Sequence, residues 1–239
     1  NNLITLNAGL LNRFWSSFRP VVQAHADEIG NEALGGLAIG KALEKFSVLV
    51  DGISTGASRI KSIVGDLRDF ARTDSGKMDQ SVNLHDTIES AVTIVYNLVK
   101  NSTRHFTVSH GTGIPTIRGN AQRLEQVIIN LVTNACQALE SSDDTLSLST
   151  HRAPDENAVV IQVSDTGRGM DDETLEHATD PFFTTLRQQG RSGLGLSVCY
   201  SIVKEHGGTM RLFSEEGNGT TVRVTLPLPA EASSVTETL

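Results

Sequence analysis

Apolar residues recur at spacings of three and four through the first third of the chain, and the rhythm then changes. Leu3, Leu6, Leu10, Phe14, Phe18 and Val21 mark one face of a first helix. Leu43, Phe46, Val50, Ile53, Ala57, Ile60, Val64, Leu67 and Ala71 alternate 3-4-3-4, a heptad seam that wants other helices at a shallow crossing angle. Between them Gly30-Asn-Glu-Ala-Leu-Gly-Gly-Leu is short and glycine-rich, suited to reversing the chain into an αα-hairpin. One such hairpin cannot bury its own stripe. Pairing two in a symmetric four-helix bundle would do so, which predicts a homodimer through residues 3–74. The competing arrangement packs the stripe against the second half of the same chain. Gly52, Gly56 and Gly65 weaken the second helix and are expected sites of bending.

The polar stretch Thr73-Asp-Ser-Gly-Lys ends this pattern. Beyond it the spacing predicts a helix over 83–100 (Ile88, Val92, Val95 and Val99 on one face), a strand over 106–109 and a helix over 120–141. Strands follow over 145–150 and 158–164, separated by Pro154-Asp-Glu-Asn. A helix over 194–205 stops at Gly207-Gly208, and strands over 210–213 and 220–226 close the pattern. The expected fold class is therefore α+β: a helical hairpin over 1–76, forming a dimeric four-helix bundle, then a two-layer α/β sandwich over 77–229 with an antiparallel-type sheet. Residues 230–239 are small and polar, and a disordered tail is expected there.

Composition narrows the picture. With 239 residues, 38% of them apolar, there is enough material for one or two domains with real cores. A net charge of −8 supplies no basic field for nucleic acid. No apolar run approaches the ~20 residues that span a membrane and no signal peptide opens the chain, so no direct membrane contact is expected from this stretch. Cys136 and Cys199 sit in apolar helical patterns without metal spacing and read as reduced core residues. The expected location is cytoplasmic, as part of a larger protein that is itself soluble or membrane-anchored.

Four short motifs carry chemistry. Asn130 and Asn134 are four apart and share a helix face opposite Leu124, Val127, Ile128, Leu131 and Ala138. Two carboxamide oxygens can hold Mg2+ beside a triphosphate without adding negative charge, although such a pair alone also reads as plain surface polarity. Asp165 follows the alternating Val159, Ile161 and Val163 and precedes Gly167 and Gly169. A carboxylate at a strand end can accept from an exocyclic amino group such as adenine's, while glycines let backbone pass close to a flat ring; an ordinary Asp-x-Gly turn is the plainer alternative. Gly190-Arg191-Ser192-Gly193-Leu194-Gly195-Leu196 places free amides and a helix dipole at one point, which suits phosphate, with Arg191 as an added cation. No Gly-Lys-Ser/Thr follows and no Rossmann unit is opened, so neither the P-loop nor the dinucleotide fingerprint applies. The segment 171–189 between the glycine clusters is long and partly polar, the profile of a lid anchored by burial of Phe182 and Phe183.

In this order and spacing the four motifs resemble the N, G1, F and G2 boxes of two-component sensor histidine kinases, on the GHKL ATPase fold, over about Val82 to Pro229. The asparagine run 130–135, Asp165-Thr-Gly-Arg-Gly169, Pro181-Phe-Phe-Thr-Thr185 and Gly193-Leu-Gly-Leu196 carry the likeness. It implies ATP and Mg2+ as cofactors. The implied nucleotide contacts are Asn130, Asn134, Asp165, Gly167, Gly169, Phe182, Phe183, Thr184, Thr185, Arg191, Ser192, Gly193, Leu194, Gly195, Leu196, Thr220 and Thr221, with Asn134 and Asn130 on the metal. Chaperones of the superfamily carry a glutamate base where Asn130 stands, so the asparagine favours phosphoryl transfer to a protein over hydrolysis. The segment 56–72 resembles the second helix of the dimerisation and histidine-phosphotransfer hairpin, which implies a histidine acceptor and a response-regulator receiver domain as partner.

Two departures accompany the likeness. The acceptor box is absent: Asn1-Asn2-Leu-Ile resembles the residues just after it, so the acceptor histidine is expected upstream, and His25 has only Glu28 to suggest the box. Leu186 and Gln137 stand where lysines are frequent, with Arg187 and Arg191 as candidate substitutes. A degenerate kinase serving as an ATP-binding or partner-docking dimer is the alternative reading.

Overall fold

The computed structural model describes residues 2–29, 33–34, 37–71, 78–153, 157–185 and 192–229. The expected linker at 73–77, the turn at 154–156, Leu186, Arg187, Arg191 and the tail from 230 lie outside the described residues. The chain folds as two compact units, the first built on Asn1–Asp69 and the second on Phe70–Thr185 with Gly193–Leu239.

The first unit is a helical hairpin of α1 (Asn2–Ile29) and α2 (Ile39–Ala71), joined through two-residue strands β1 (Ala33–Leu34) and β2 (Leu37–Ala38) that pair antiparallel. Trp15 packs its ring at 4.4 Å from Phe46 and donates its indole N–H to Ser47 Oγ at 2.9 Å, fixing the two helices against each other. Along the heptad seam of α2, Leu43, Val50 and Ala57 are buried within the single chain, whereas Phe46, Ile53 and Ile60 of the second file are exposed, as is Val64, one heptad beyond Ala57. Leu6, Leu10, Phe14, Phe18 and Val21 of α1 are exposed as well. The expected bending of α2 does not break it: the helix is continuous through Gly52, Gly56 and Gly65, each of which has open space where a Cβ would stand. Tertiary packing along the buried file outweighs the weak propensity of three glycines.

The second unit contains β3 (Gln80–Val82), α3 (Leu84–Ser102), β4 (His105–Ser109), β5 (Ile117–Gly119), α4 (Ala121–Ala138), β6 (Thr145–Arg152), β7 (Ala158–Asp165), α5 (Asp172–His177), α6 (Gly195–Glu205), β8 (Thr209–Glu215) and β9 (Gly219–Pro227). Its main sheet runs β4-β6-β7-β9-β8, and β3 pairs with β5 in a separate ribbon. Leu146, Leu148, Ile161, Val163, Val222 and Val224 face a layer of α3, α4 and α6, meeting Ile88, Leu124, Ile128, Leu131 and Ile202 in one buried cluster. The sheet is mixed: β4 pairs parallel with β6, and the other pairings are antiparallel. The antiparallel expectation fails at β4 because the chain from β4 to β6 crosses over through α4, and a helical crossover returns the next strand in the same direction.

Local chemistry sets the helix ends. Asn83 and Asn120 cap α3 and α4, accepting from the His85 and Arg123 amides at 3.0 and 3.1 Å. Gly207, at φ +69, closes α6 with bonds from Gly207 N to Lys204 O and from Gly208 N to Val203 O, both 2.9 Å. That is the paired bonding that satisfies a helix's last carbonyls. Helix α4 stops at Ala138, three residues short of the expected end, because Leu139 turns extended. Among the described residues no helix is long and apolar enough to cross a membrane.

Candidate nucleotide site

Strand β7 alternates core and open faces, and its last residue, Asp165, falls on the helix-covered face in line with Val159, Ile161 and Val163. The residue is only 7% exposed, and its carboxylate Oδ1 accepts from the Gly167 amide at 3.0 Å. Burial raises its pKa above the ordinary carboxylate value, against the lowering effect of the Gly167 and Thr220 backbone N–H groups.

The turn after Asp165 needs its glycines. A Cβ on Gly167 would lie 2.2 Å from Ala138 O, and one on Gly169 2.0 Å from Glu215 O. Gly169 also takes φ +64, the left-handed region that side chains disfavour. Arg168 N donates to Ala138 O at 3.0 Å and its guanidinium to Gln137 O at 3.3 Å, so this turn closes the last turn of α4. Gln137 Nε2 is buried and, among the described residues, has no hydrogen-bond partner.

Helix α4 turns Asn130 and Asn134 toward the start of α6. Asn130 Nδ2 donates to Gly195 O at 3.5 Å, and a Cβ on Gly195 would lie 3.8 Å from Asn134 Nδ2 and 3.9 Å from its Oδ1. Leu194, wholly buried, precedes α6 without a side-chain cap on the helix's first amides. The helix therefore presents its positive end beside two carboxamides.

The Pro181–Thr185 segment is tied to the same place, but not as expected. Phe182 is 54% exposed at φ +67, and Phe183 is half-buried, so neither phenylalanine anchors the segment in the core. The tie is backbone: Phe182 N donates to Gly193 O at 3.0 Å, and a Cβ on Gly193 would meet Phe183 O at 2.5 Å. Thr184 and Ser192 are half-buried nearby in sequence, and Thr185 is exposed. Within the expected lid, Asp171 to His177 forms a capped short helix, Asp171 Oδ1 accepting from the Thr174 amide at 2.8 Å.

Asn130, Asn134, Phe182, Gly193, Leu194 and Gly195 thus meet at the start of α6, while Asp165, Gly167 and Gly169 stand at the end of β7, where Gly167 reaches the last turn of α4. Thr220 joins them, paired with Asp165 across β7 and β9. Thr221 does not: one residue on, it points to the opposite face, where its hydroxyl meets Ser164 Oγ at 2.8 Å.

The family profile described as Histidine kinase-, DNA gyrase B-, and HSP90-like ATPase matches residues 119–230. The chain is 38% identical over 195 residues to a sensor protein of Shewanella frigidimarina, covering 82% of this chain and 29% of that protein. It is 30% identical over 172 residues to the sensor histidine kinase ZraS of Escherichia coli, covering 72% of this chain and 36% of ZraS. The nucleotide-free catalytic domain of the histidine kinase ThkA superposes with a TM-score of 0.54 at 25% identity, covering 63% of this chain and 98% of that domain. Residues 119–230 therefore match that ATPase family, and the chain as a whole is similar to sensor histidine kinases. It spans about a third or less of the length of these curated relatives.

Two positioning groups escaped the sequence patterns. Gly219, at φ +84, would press a Cβ to 2.0 Å from Asp165 O, so it lets the start of β9 pass close to the Asp165 backbone carbonyl. Arg168 acts through backbone carbonyls that no spacing announces. The Gly217-Asn-Gly219 turn was the available signal for the first; nothing in the sequence signalled the second.

Proposed function

We propose that the chain is the dimerising, ATP-binding core of a sensor histidine kinase, with residues 1–76 as hairpin domain and 77–229 as catalytic domain. The γ-phosphoryl group of ATP passes to a histidine on a helical hairpin, an N–P bond forming as the bond to ADP breaks, and then to an aspartate of a response-regulator receiver domain, an O–P bond forming as the N–P bond breaks. The buried Asp165 carboxylate carries this reading. A water-poor acceptor at a strand end, next to backbone cleared by Gly167, suits the exocyclic amino group of adenine. The start of α6, where no side-chain cap is present, suits the phosphates. Asn130 and Asn134 would hold Mg2+ through their oxygens, the ion offsetting phosphate charge and keeping its remaining positions for water and phosphate oxygen. Thr221 is left out of the site by its face of the sheet.

The exposed residues Phe46, Ile53, Ile60 and Val64 on α2, and Leu6, Leu10, Phe14, Phe18 and Val21 on α1, support a homodimer formed through residues 3–74. Calorimetric titration with an ATP analogue and Mg2+ tests the nucleotide site. One molecule binds per chain, and Asp165→Asn weakens binding about 10–100-fold, the cost of losing one hydrogen bond to a charged group. Unchanged affinity in that variant would overturn the adenine assignment.

A further inference from the structure

Residues far from Asp165 assemble a second site that the nucleotide chemistry does not use. His85 and Glu89 lie four apart at the start of α3, on one face of the helix, and His110 follows β4. Their ligand atoms all fall within 4.8 Å of one another. His110 Nε2 is 3.0 Å from Glu89 Oε1, and the two imidazole rings meet edge-on at 4.1 Å between centroids. Among the described residues no other trio of histidine, cysteine, aspartate or glutamate is so gathered. In the register of β6, Thr150 near this site is four residues from Leu146, the partner of Asp165, so the trio stands at the opposite end of the sheet, roughly 13 Å along the strand.

We propose that His85, Glu89 and His110 form a binding site for a borderline divalent transition ion, Zn2+ above all. Two neutral imidazoles and one carboxylate, with a fourth position open, are the donor set of exchangeable zinc sites. Imidazole discriminates against Mg2+ and Ca2+, which favour all-oxygen shells, so this site is distinct in kind from a magnesium–phosphate centre. Ligands about 2.1 Å from a tetrahedral ion sit roughly 3.4 Å apart, close to the present Glu89–His110 separation. His85, the third member, is exposed and has its ligand atom within 4.8 Å of the other two.

The supports are already rigid. The Asn83 side chain caps α3 by accepting from the His85 amide, fixing the turn that bears the first ligand. The His110 loop is held to β6, since Gly111 N donates to Thr150 Oγ1 at 3.2 Å and a Cβ on Gly111 would come 2.7 Å from Thr150 O. A cleft of about 210 Å³, lined by Asn83, His85, His110, Ile114 and Thr150 among others, adjoins the trio and leaves room for water at the open position. A bound ion would tie α3 to the β4–β5 loop.

The test uses the tag-free chain, stripped with EDTA, titrated with Zn2+ against a chromophoric indicator and separately with Co2+ while its visible absorption is read. One Zn2+ per chain is expected, with the intense absorption of four-coordinate Co2+ and no competition from Mg2+. His85→Ala and His110→Ala each weaken Zn2+ binding by more than the ~10–100-fold that loss of an outer-shell partner costs. Zn2+ raises the melting temperature of the parent and leaves that of the double variant unmoved. All three side chains are at least partly exposed, so circular dichroism of the variants stays native. Absence of uptake, the weak spectrum of six-coordinate Co2+, or uptake undiminished in the double variant would each overturn the site.

Discussion

The Gly167 amide donates to Asp165 Oδ1 at 3.0 Å, so a turn glycine holds one oxygen of a carboxylate that the fold otherwise removes from water. The raised pKa of Asp165 records that one bond and its neighbours do not repay the burial.

Stability should therefore depend on this group in a defined direction. The folded chain binds the Asp165 proton more tightly than the unfolded chain, whose value is the ordinary 3.8. Its contribution is present in full below that value and is lost as pH rises through the raised one. Asp165→Asn keeps an acceptor for Gly167 N without the charge. Urea denaturation at pH 7 should find the variant at least as stable as the parent, although nucleotide affinity falls. A loss above about 1 kcal/mol would mean that the ionised carboxylate supports the fold.

The glycines of the 217–219 turn separate strain from collision. Both have positive φ, but a Cβ on Gly217 meets nothing within 4 Å whereas one on Gly219 meets Asp165 O at 2.0 Å. Gly217→Ala should cost about 1 kcal/mol, the usual left-handed penalty. Gly219→Ala should cost clearly more, in the range of ~3 kcal/mol, and should also weaken ATP binding by displacing Asp165. Chemical denaturation of the two variants in parallel checks the order.

Burial pushes the Cys199 thiol up to about 12, and raises that of Cys136 in the same direction. Both are free and buried, so alkylating reagents should leave them untouched in the native chain at neutral pH. The folded chain retains these protons above pH 9.0, where the unfolded chain loses them. Stability should accordingly fall as pH rises from about 9 toward 12, and replacing Cys199 with Ala should flatten that fall in a series of denaturation midpoints.

Ile60 is 48% exposed in the single chain, so Ile60→Asp has little to disturb within the hairpin itself. If two hairpins pair along the exposed file, the same change buries an unpaired charge and weakens the dimer by several kcal/mol. Light scattering should find a monomer with native circular dichroism. A dimer of parental stability would place the interface elsewhere.

Helix α5 has no buried residue and rests on its Asp171 cap, which predicts low local stability. Amides over 172–177 should exchange rapidly in the free chain and become protected when an ATP analogue binds. Equal protection in both states would make the 171–185 segment a fixed part of the fold.

What could be read from the chain follows from which forces leave a local trace. The spacing of Ile88, Val92, Val95 and Val99 marked α3, and the alternation of Val159, Ile161 and Val163 marked both β7 and the face on which Asp165 falls. The parallel pairing of β4 with β6 left no trace, because strand direction is set by the crossover between them. Phe182 looked like a core anchor by composition, yet its backbone bond to Gly193 O turns it outward. Thr221 followed Thr220 in the sequence and shares its chemistry, but the pleat sends the two in opposite directions. His85, Glu89 and His110 were scattered through twenty-six positions, and only the fold brings them together.

Ala138 O receives the Arg168 amide at 3.0 Å, and Gly167 lies against the same carbonyl. The helix bearing Asn130 and Asn134 and the turn bearing Asp165 are thereby welded into a single jaw. A nucleotide held as proposed, with adenine at Asp165 and phosphate near the asparagines, would be measured against a fixed span.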